Sequence, residues 1–197
     1  MKWFKGRYAI YLPAFGAVLG GFGAWLFVHA RVLPNAGLAV LFAAVWEGFV
    51  PREDRAYGFR RAMISTVNIV TRSLLLVNLA TPRVGEVLVV AQVIPRASMI
   101  ALAWVSRPAP WGLGYEFSST LVSWEALIAI LEGVAAAMWL GIRPGVMILA
   151  GTYLILRLVQ WLSYRYQGGV NADALGMTQL LTEFFVLLLF DCSACRW

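Results

Sequence analysis

Apolar residues run along this chain in blocks of membrane-span length, broken by short joints carrying Gly, Pro and Arg. A spanning helix needs about 20 mostly apolar residues, and seven blocks qualify or nearly do: 8–30, 35–50, 62–79, 84–105, 118–140, 144–164 and 174–190. The second and third are short or polar, so six spans compete with seven. The pattern predicts an all-α, polytopic integral membrane helical bundle of six to seven transmembrane helices, forming a single domain over 1–197. In the first block, Gly16, Gly20, Gly21 and Gly23 include the small-xxx-small spacing that lets helices approach closely. In the last block, helical periodicity puts Asp173, Gly176, Gln179 (in part) and Glu183 on one face, with Leu180, Leu181, Phe184, Phe185 and Leu188 covering the rest. An ionisable residue at membrane depth is costly and points to function. The plainer reading makes Asp173 an N-cap or first-turn acid and packs Glu183 against another helix.

Composition agrees with the pattern. The chain is 61% hydrophobic and 13% charged, about half the charge of a soluble domain, with mean hydropathy +0.75. The first block lacks a signal-peptide cleavage pattern. The net charge of +6 raises nucleic acid as a partner, but the distribution of the charge argues against it. With the N-terminus inside, the inner segments hold Lys2, Lys5, Arg7, Arg52, Arg55, Arg60, Arg61, Arg107 and Arg165, nine cations. The outer segments hold four: Arg31, Arg83, Arg143 and Arg196. The positive-inside rule then gives a cytoplasmic N-terminus, a lipid bilayer as partner, and no nucleic acid. Cys192 and Cys195 sit at the C-terminal end with no second pair, and His29 is far away in sequence. A disordered tail fits them better than a redox or zinc site. No internal repeat is evident, which gives an inverted-repeat transporter no support.

In this orientation three unusual loops, 47–61, 106–117 and 163–173, share the cytoplasmic side. Glu47, Glu53 and Asp54 could hold Mg²⁺, which takes one or two carboxylates plus substrate phosphates. Arg52, Arg55, Arg60 and Arg61 could meet a diphosphate; a salt-bridged loop is the alternative. Arg96 follows Pro95 in mid-span and needs an acid, a ligand anion or water, with Glu86, Glu125, Glu132 and Glu183 as candidate partners. Arg72 and Arg157 pose the same question, and Arg157 is placed to snorkel toward the inner surface. Gly112 and Gly114 lie among aromatics, where they either admit a phosphate to backbone N–H groups or sit in an ordinary aromatic belt.

Taken in order, these pieces resemble the cobalamin synthase family, the integral membrane adenosylcobinamide-GDP ribazoletransferases. Gly168-Gly169-Val170-Asn171-Ala172-Asp173-Ala174-Leu175-Gly176, followed by Gln179 and Glu183, is similar to the family's Gly-Gly-x-Thr-Gly-Asp-x-Leu-Gly stretch. Gly112-Leu113-Gly114 with Phe117 resembles its Gly-Leu-Gly-x-x-Phe loop, Pro95-Arg96 its Ser-Arg helix start, and Pro13, Gly16 and Gly20 its first-span motif. The acidic signature departs from the family: with Glu47-Gly48 set on its Asp-Gly, Asp54 falls on the third acid, Pro51 stands where the second Asp belongs, and the His is absent.

The resemblance implies a transferase that joins adenosylcobinamide-GDP to α-ribazole or its 5′-phosphate and releases GMP, in a bacterial or archaeal cytoplasmic (inner) membrane. It implies Mg²⁺ on Asp173, Glu47 and Asp54, and diphosphate compensation by Arg96 with Arg52 or Arg165. Gly112, Gly114, Gly168 and Gly169 would allow close backbone approach, and Gln179 and Glu183 join the substrate-binding set. A homo-oligomer is compatible with all of this. Two other classes stay open: a catalytically degenerate homologue that binds corrinoid or nucleotide or scaffolds a partner, and a small transporter.

Overall fold

The structure, a computed structural model, describes residues 9–29, 43–44, 58–78, 83–110 and 112–191. The regular elements among them are helices: α1 (Tyr11–His29), α2 (Gly58–Asn78), α3 (Val84–Val105), α4 (Leu113–Thr120), α5 (Ser123–Trp139), α6 (Ile142–Gln167) and α7 (Ala172–Asp191). Helices α3, α6 and α7 are long and apolar enough to cross a membrane, and α4 with α5 makes a fourth span if the pair is counted as one. The helical membrane bundle is therefore present. The block at 35–50 lies outside the described residues except for 43–44.

The block expected to run unbroken over 118–140 is instead split, with α4 and α5 meeting at 99°. The residues explain the break. Ser119 Oγ and Thr120 Oγ1 both donate to the Glu116 carbonyl, at 3.1 and 2.8 Å. Side chains that bond back to the preceding turn compete with helix propagation, and Leu121 and Val122 are extended.

Helix α3 is the hub, packing against α1, α5 and α7 with smaller contacts to α4 and α6. Of its apolar window 83% lies inside the protein, against 22% for α6, so α6 is the most outward of the clear spans. The first-span glycines act as their spacing predicts. A Cβ on Gly16 would lie 2.6 Å from the Gln92 carbonyl oxygen, and one on Gly20 would lie 2.5 Å from Val89 Cα. Only glycine lets α1 lie against the α3 backbone there.

Pro95 sits inside α3 and has no N–H, so the Ala91 carbonyl loses its helical donor. Gln92 replaces it, its Nε2 donating to Ala91 O at 3.0 Å. The other end of the same amide accepts from Arg96: Nη1 lies 2.7 Å from both Gln92 Oε1 and Gln92 O. Two buried apolar clusters flank this level. One holds Val87, Leu88, Ile94, Val186 and Leu187; the other holds Met99, Ile100, Phe117, Val159 and Leu175. Between them lies a buried polar layer that includes Arg72, Gln92, Arg96, Gln179, Thr182 and Glu183.

Candidate functional site

At the end of the bundle where α3 and α6 finish and α4, α5 and α7 begin, the 106–117 and 163–173 segments meet, as expected of two of the three unusual loops. Their joint is backbone. Ala109 N donates to Val170 O and Val170 N to Arg107 O, both at 2.9 Å, forming a parallel bridge between Pro108 and Val170. Two side chains of α6 reinforce it. Tyr164 Oη accepts from Arg107 N at 2.8 Å, and Gln160 Nε2 donates to Ser106 Oγ at 3.1 Å.

The four glycines divide into two roles. Cβ atoms on Gly114 and Gly169 would lie 2.7 Å from Asn171 Cα and from Pro108 O respectively, so the chain's own backbone takes the space these residues leave. Gly168 is different: it is exposed, ends α6 in the left-handed region at φ +71°, and a Cβ there would have nothing within 4 Å. Gly112 opens α4 at φ +94° and is also exposed. The N-cap of α7 is Asn171, whose Oδ1 accepts from Ala174 N at 2.9 Å. Asp173 is a first-turn acid, exposed at the rim, where the positive end of the helix dipole favours a carboxylate.

The interior of α7 follows the predicted split with one exception. Gly176, Gln179 and Glu183 are buried while Leu181 and Leu188 are exposed, but Asp173 belongs to the outward stripe with Met177 and Leu181. Glu183 is fully buried and forms a two-pronged ion pair with Arg72, Nε to Oε1 and Nη2 to Oε2, each at 2.7 Å. Arg96 is 3% exposed, lies 5.9 Å from the Phe15 ring centroid, and feels the charges of both Glu183 and Arg72. Among the described residues, its Nη2 has no hydrogen-bond partner.

The family model for cobalamin-5-phosphate synthase matches residues 53–190. The chain belongs to the cobalamin-5-phosphate synthase family. Neither curated proteins nor solved structures give a match.

For this cobalamin synthase homologue the structure separates the expected site residues by depth and position. Asp173, Gly112, Gly114, Gly168 and Gly169 gather at one rim. Arg96 and Glu183 are buried in the polar layer about 15 Å deeper, ten residues along their helices from Ser106 and Asp173 respectively, and Gln179 is buried about 9 Å deeper, six residues on from Asp173. Arg165 joins neither group, being on the outward face of α6 and 5.4 Å from the Trp161 ring centroid. Glu47, Arg52 and Asp54 lie outside the described residues. No group of three or more His, Cys, Asp or Glu suited to a metal occurs among the described residues. Sequence reasoning missed Gln92, legible as the one amide in a helix with an internal proline three residues on, and Asn171, legible as a cap residue before an apolar run.

Proposed function

We propose that this cobalamin synthase homologue joins adenosylcobinamide-GDP to α-ribazole or its 5′-phosphate at the rim built by 106–117 and 163–173. A ribazole hydroxyl forms a new P–O bond to the corrinoid-side phosphorus, the P–O bond to the GMP half breaks, and the hydroxyl proton leaves to a base. Such transfers rest on positioning and charge neutralisation. The observation that carries the reading is Asp173, an exposed carboxylate on the first turn of α7 beside the open, left-handed Gly168. One carboxylate completed by substrate phosphates is donor chemistry that suits Mg²⁺. Asp173 would hold the ion, with Glu47 and Asp54 as further ligands, and the bound ion would neutralise the diphosphate. Gly168 and Gly112 leave the backbone open to a phosphate, while Gly114 and Gly169 keep the rim closed behind it.

Arg96, Gln179 and Glu183 act in this reading as the internal frame, since their polar ends are engaged or buried below the rim. A second reading, a homologue that binds the corrinoid without turnover, is favoured by Pro51 in the place of an acid and the missing signature His. Mg²⁺-dependent GMP release by the purified chain, with adenosylcobinamide-GDP and α-ribazole supplied, separates the two. Turnover that falls about a hundredfold or more in Asp173→Asn supports the transferase. A folded wild type that binds adenosylcobinamide-GDP without releasing GMP supports the second reading.

A further inference from the structure

We propose that the outward face of α6, near its C-terminal end, binds the phosphate of an anionic phospholipid between Arg157 and Arg165. The inference does not depend on the reaction. Helix α6 has 26 residues, about 39 Å of helix against a hydrocarbon core of about 30 Å. With 22% of its apolar window inside the protein, it presents most of its surface to lipid.

Along that surface Tyr153, Arg157, Trp161 and Arg165 recur every four residues, and all four are exposed. Arg157, Trp161 and Arg165 lie opposite the buried stripe of Thr152, Val159 and Ser163. The aromatic rings hold the cations: Arg157 Cζ is 5.9 Å from the Tyr153 centroid, and Arg165 Cζ is 5.4 Å from the Trp161 centroid. Arg157 Nη1 also donates to Gln160 Oε1 at 3.0 Å, and Gln160 is itself anchored to Ser106. Arg157 is thus held at the level of its own turn rather than drawn up to the helix end.

Two features make the occupant an anion. Helix α6 carries no Asp or Glu. The ion pairs among the described residues, Arg72–Glu183 and Arg83–Glu86, involve neither cation. An arginine facing lipid about 15 Å from the helix end is costly unless an anion or water reaches it. In a bilayer the anion at hand is a lipid phosphate, and guanidinium groups bind phosphate through paired hydrogen bonds. The aromatic partners add a preset geometry that a freely snorkelling Lys or Arg lacks.

The test is native mass spectrometry of the full chain, released from nanodiscs containing equal phosphatidylglycerol and phosphatidylcholine. The expected result is retained phosphatidylglycerol over phosphatidylcholine, with Arg157→Gln and Arg165→Gln each lowering the enrichment about fivefold. Arg143→Gln, on an exposed cation at the other end of the same helix, should leave it unchanged. The Arg157→Lys/Arg165→Lys double variant should keep a preference for the anionic lipid, which guards against simple misfolding of the Gln variants. Equal retention of the two lipids by wild type overturns the proposal, as does enrichment that survives both Gln changes. Displacement of the lipid by inorganic phosphate, or a Leu158→Cys disulfide dimer that excludes lipid from the face, overturns it as well.

Discussion

Arg72 and Glu183, 111 residues apart in sequence, meet in a fully buried, two-pronged ion pair that ties α2 to α7. Arg96 stands within the field of both, so these three side chains bring two cations and one anion together. This asymmetry orders the single substitutions. Arg72→Met removes one of two cations that act on Glu183, whereas Glu183→Gln removes the acid whose charge both arginines feel. Each should cost about 3–5 kcal/mol, Glu183→Gln the more. Arg72→Met/Glu183→Leu should cost less than either alone. Denaturation in detergent, followed by circular dichroism, measures all three; equal losses for the two single changes would remove Arg96 from the account.

Gln92 repairs the gap that Pro95 makes in α3 while also holding Arg96. Gln92→Leu should therefore destabilise by about 1–3 kcal/mol, the cost of stranding buried polar groups. Pro95→Ala returns an N–H to the Ala91 carbonyl, so it should be more favourable in the Gln92→Leu background than in wild type. A double-mutant cycle should show coupling of about 1 kcal/mol. Additive effects would mean that Gln92 serves Arg96 alone.

Gly168 and Gly169 are neighbours with different demands on the residue that fills them. Alanine at 168 meets only the left-handed backbone, a cost of about 1–2 kcal/mol. Alanine at 169 meets Pro108 and Ala109 backbone at 2.7–2.8 Å, which cannot yield without breaking the bridge at Val170. Gly169→Ala should therefore lose more stability, and limited proteolysis should cut it near 108–110 and 168–171 faster than Gly168→Ala.

Asn171 and Asp173 separate stability from chemistry within one helical turn. Asn171→Ala removes the cap on Ala174 and should cost about 1 kcal/mol, with Asn171→Ser recovering most of it. Asp173→Asn removes a favourable charge near the helix start, about 0.3–1 kcal/mol, yet should lose GMP release. Unfolding curves run beside the activity assay check the pair; a large stability loss in Asp173→Asn would make its inactivity uninformative.

Much of the architecture was legible because span length and helical period are local properties. The blocks at 84–105 and 174–190 match α3 and α7 to within two residues at each end, and the small-xxx-small spacing marked the α1–α3 contact. The charge distribution put 106–117 and 163–173 on one side of the bundle, but not the backbone bridge through which they meet. The bend at Leu121–Val122 was hidden because Ser119 and Thr120 look like span-end polar residues until their back-bonding is seen. At the site, Asp173 and the glycines could be read from a motif. The partner of Glu183 could not, because several arginines lay in or near spans and no local rule selects Arg72. Arg165 follows from the resemblance only as an alternative to Arg52, and its ring contact with Trp161 lies on the exposed face of α6.

The Arg72–Glu183 pair also bears on how the bundle can be assembled in the membrane. Helix α2 is not among those apolar enough to span on their own, and an unneutralised Arg in mid-bilayer opposes insertion by about 2.5–3.5 kcal/mol. Its neutralising partner is in α7, the last of these helices to leave the ribosome. Helix α2 therefore gains its buried ion pair with Glu183 only after every later span has been made. The α2–α7 tie closes only when α7 docks, so a nascent chain halted before Ala172 should leave α2 less firmly held than α1, which already packs on α3 through Gly16 and Gly20.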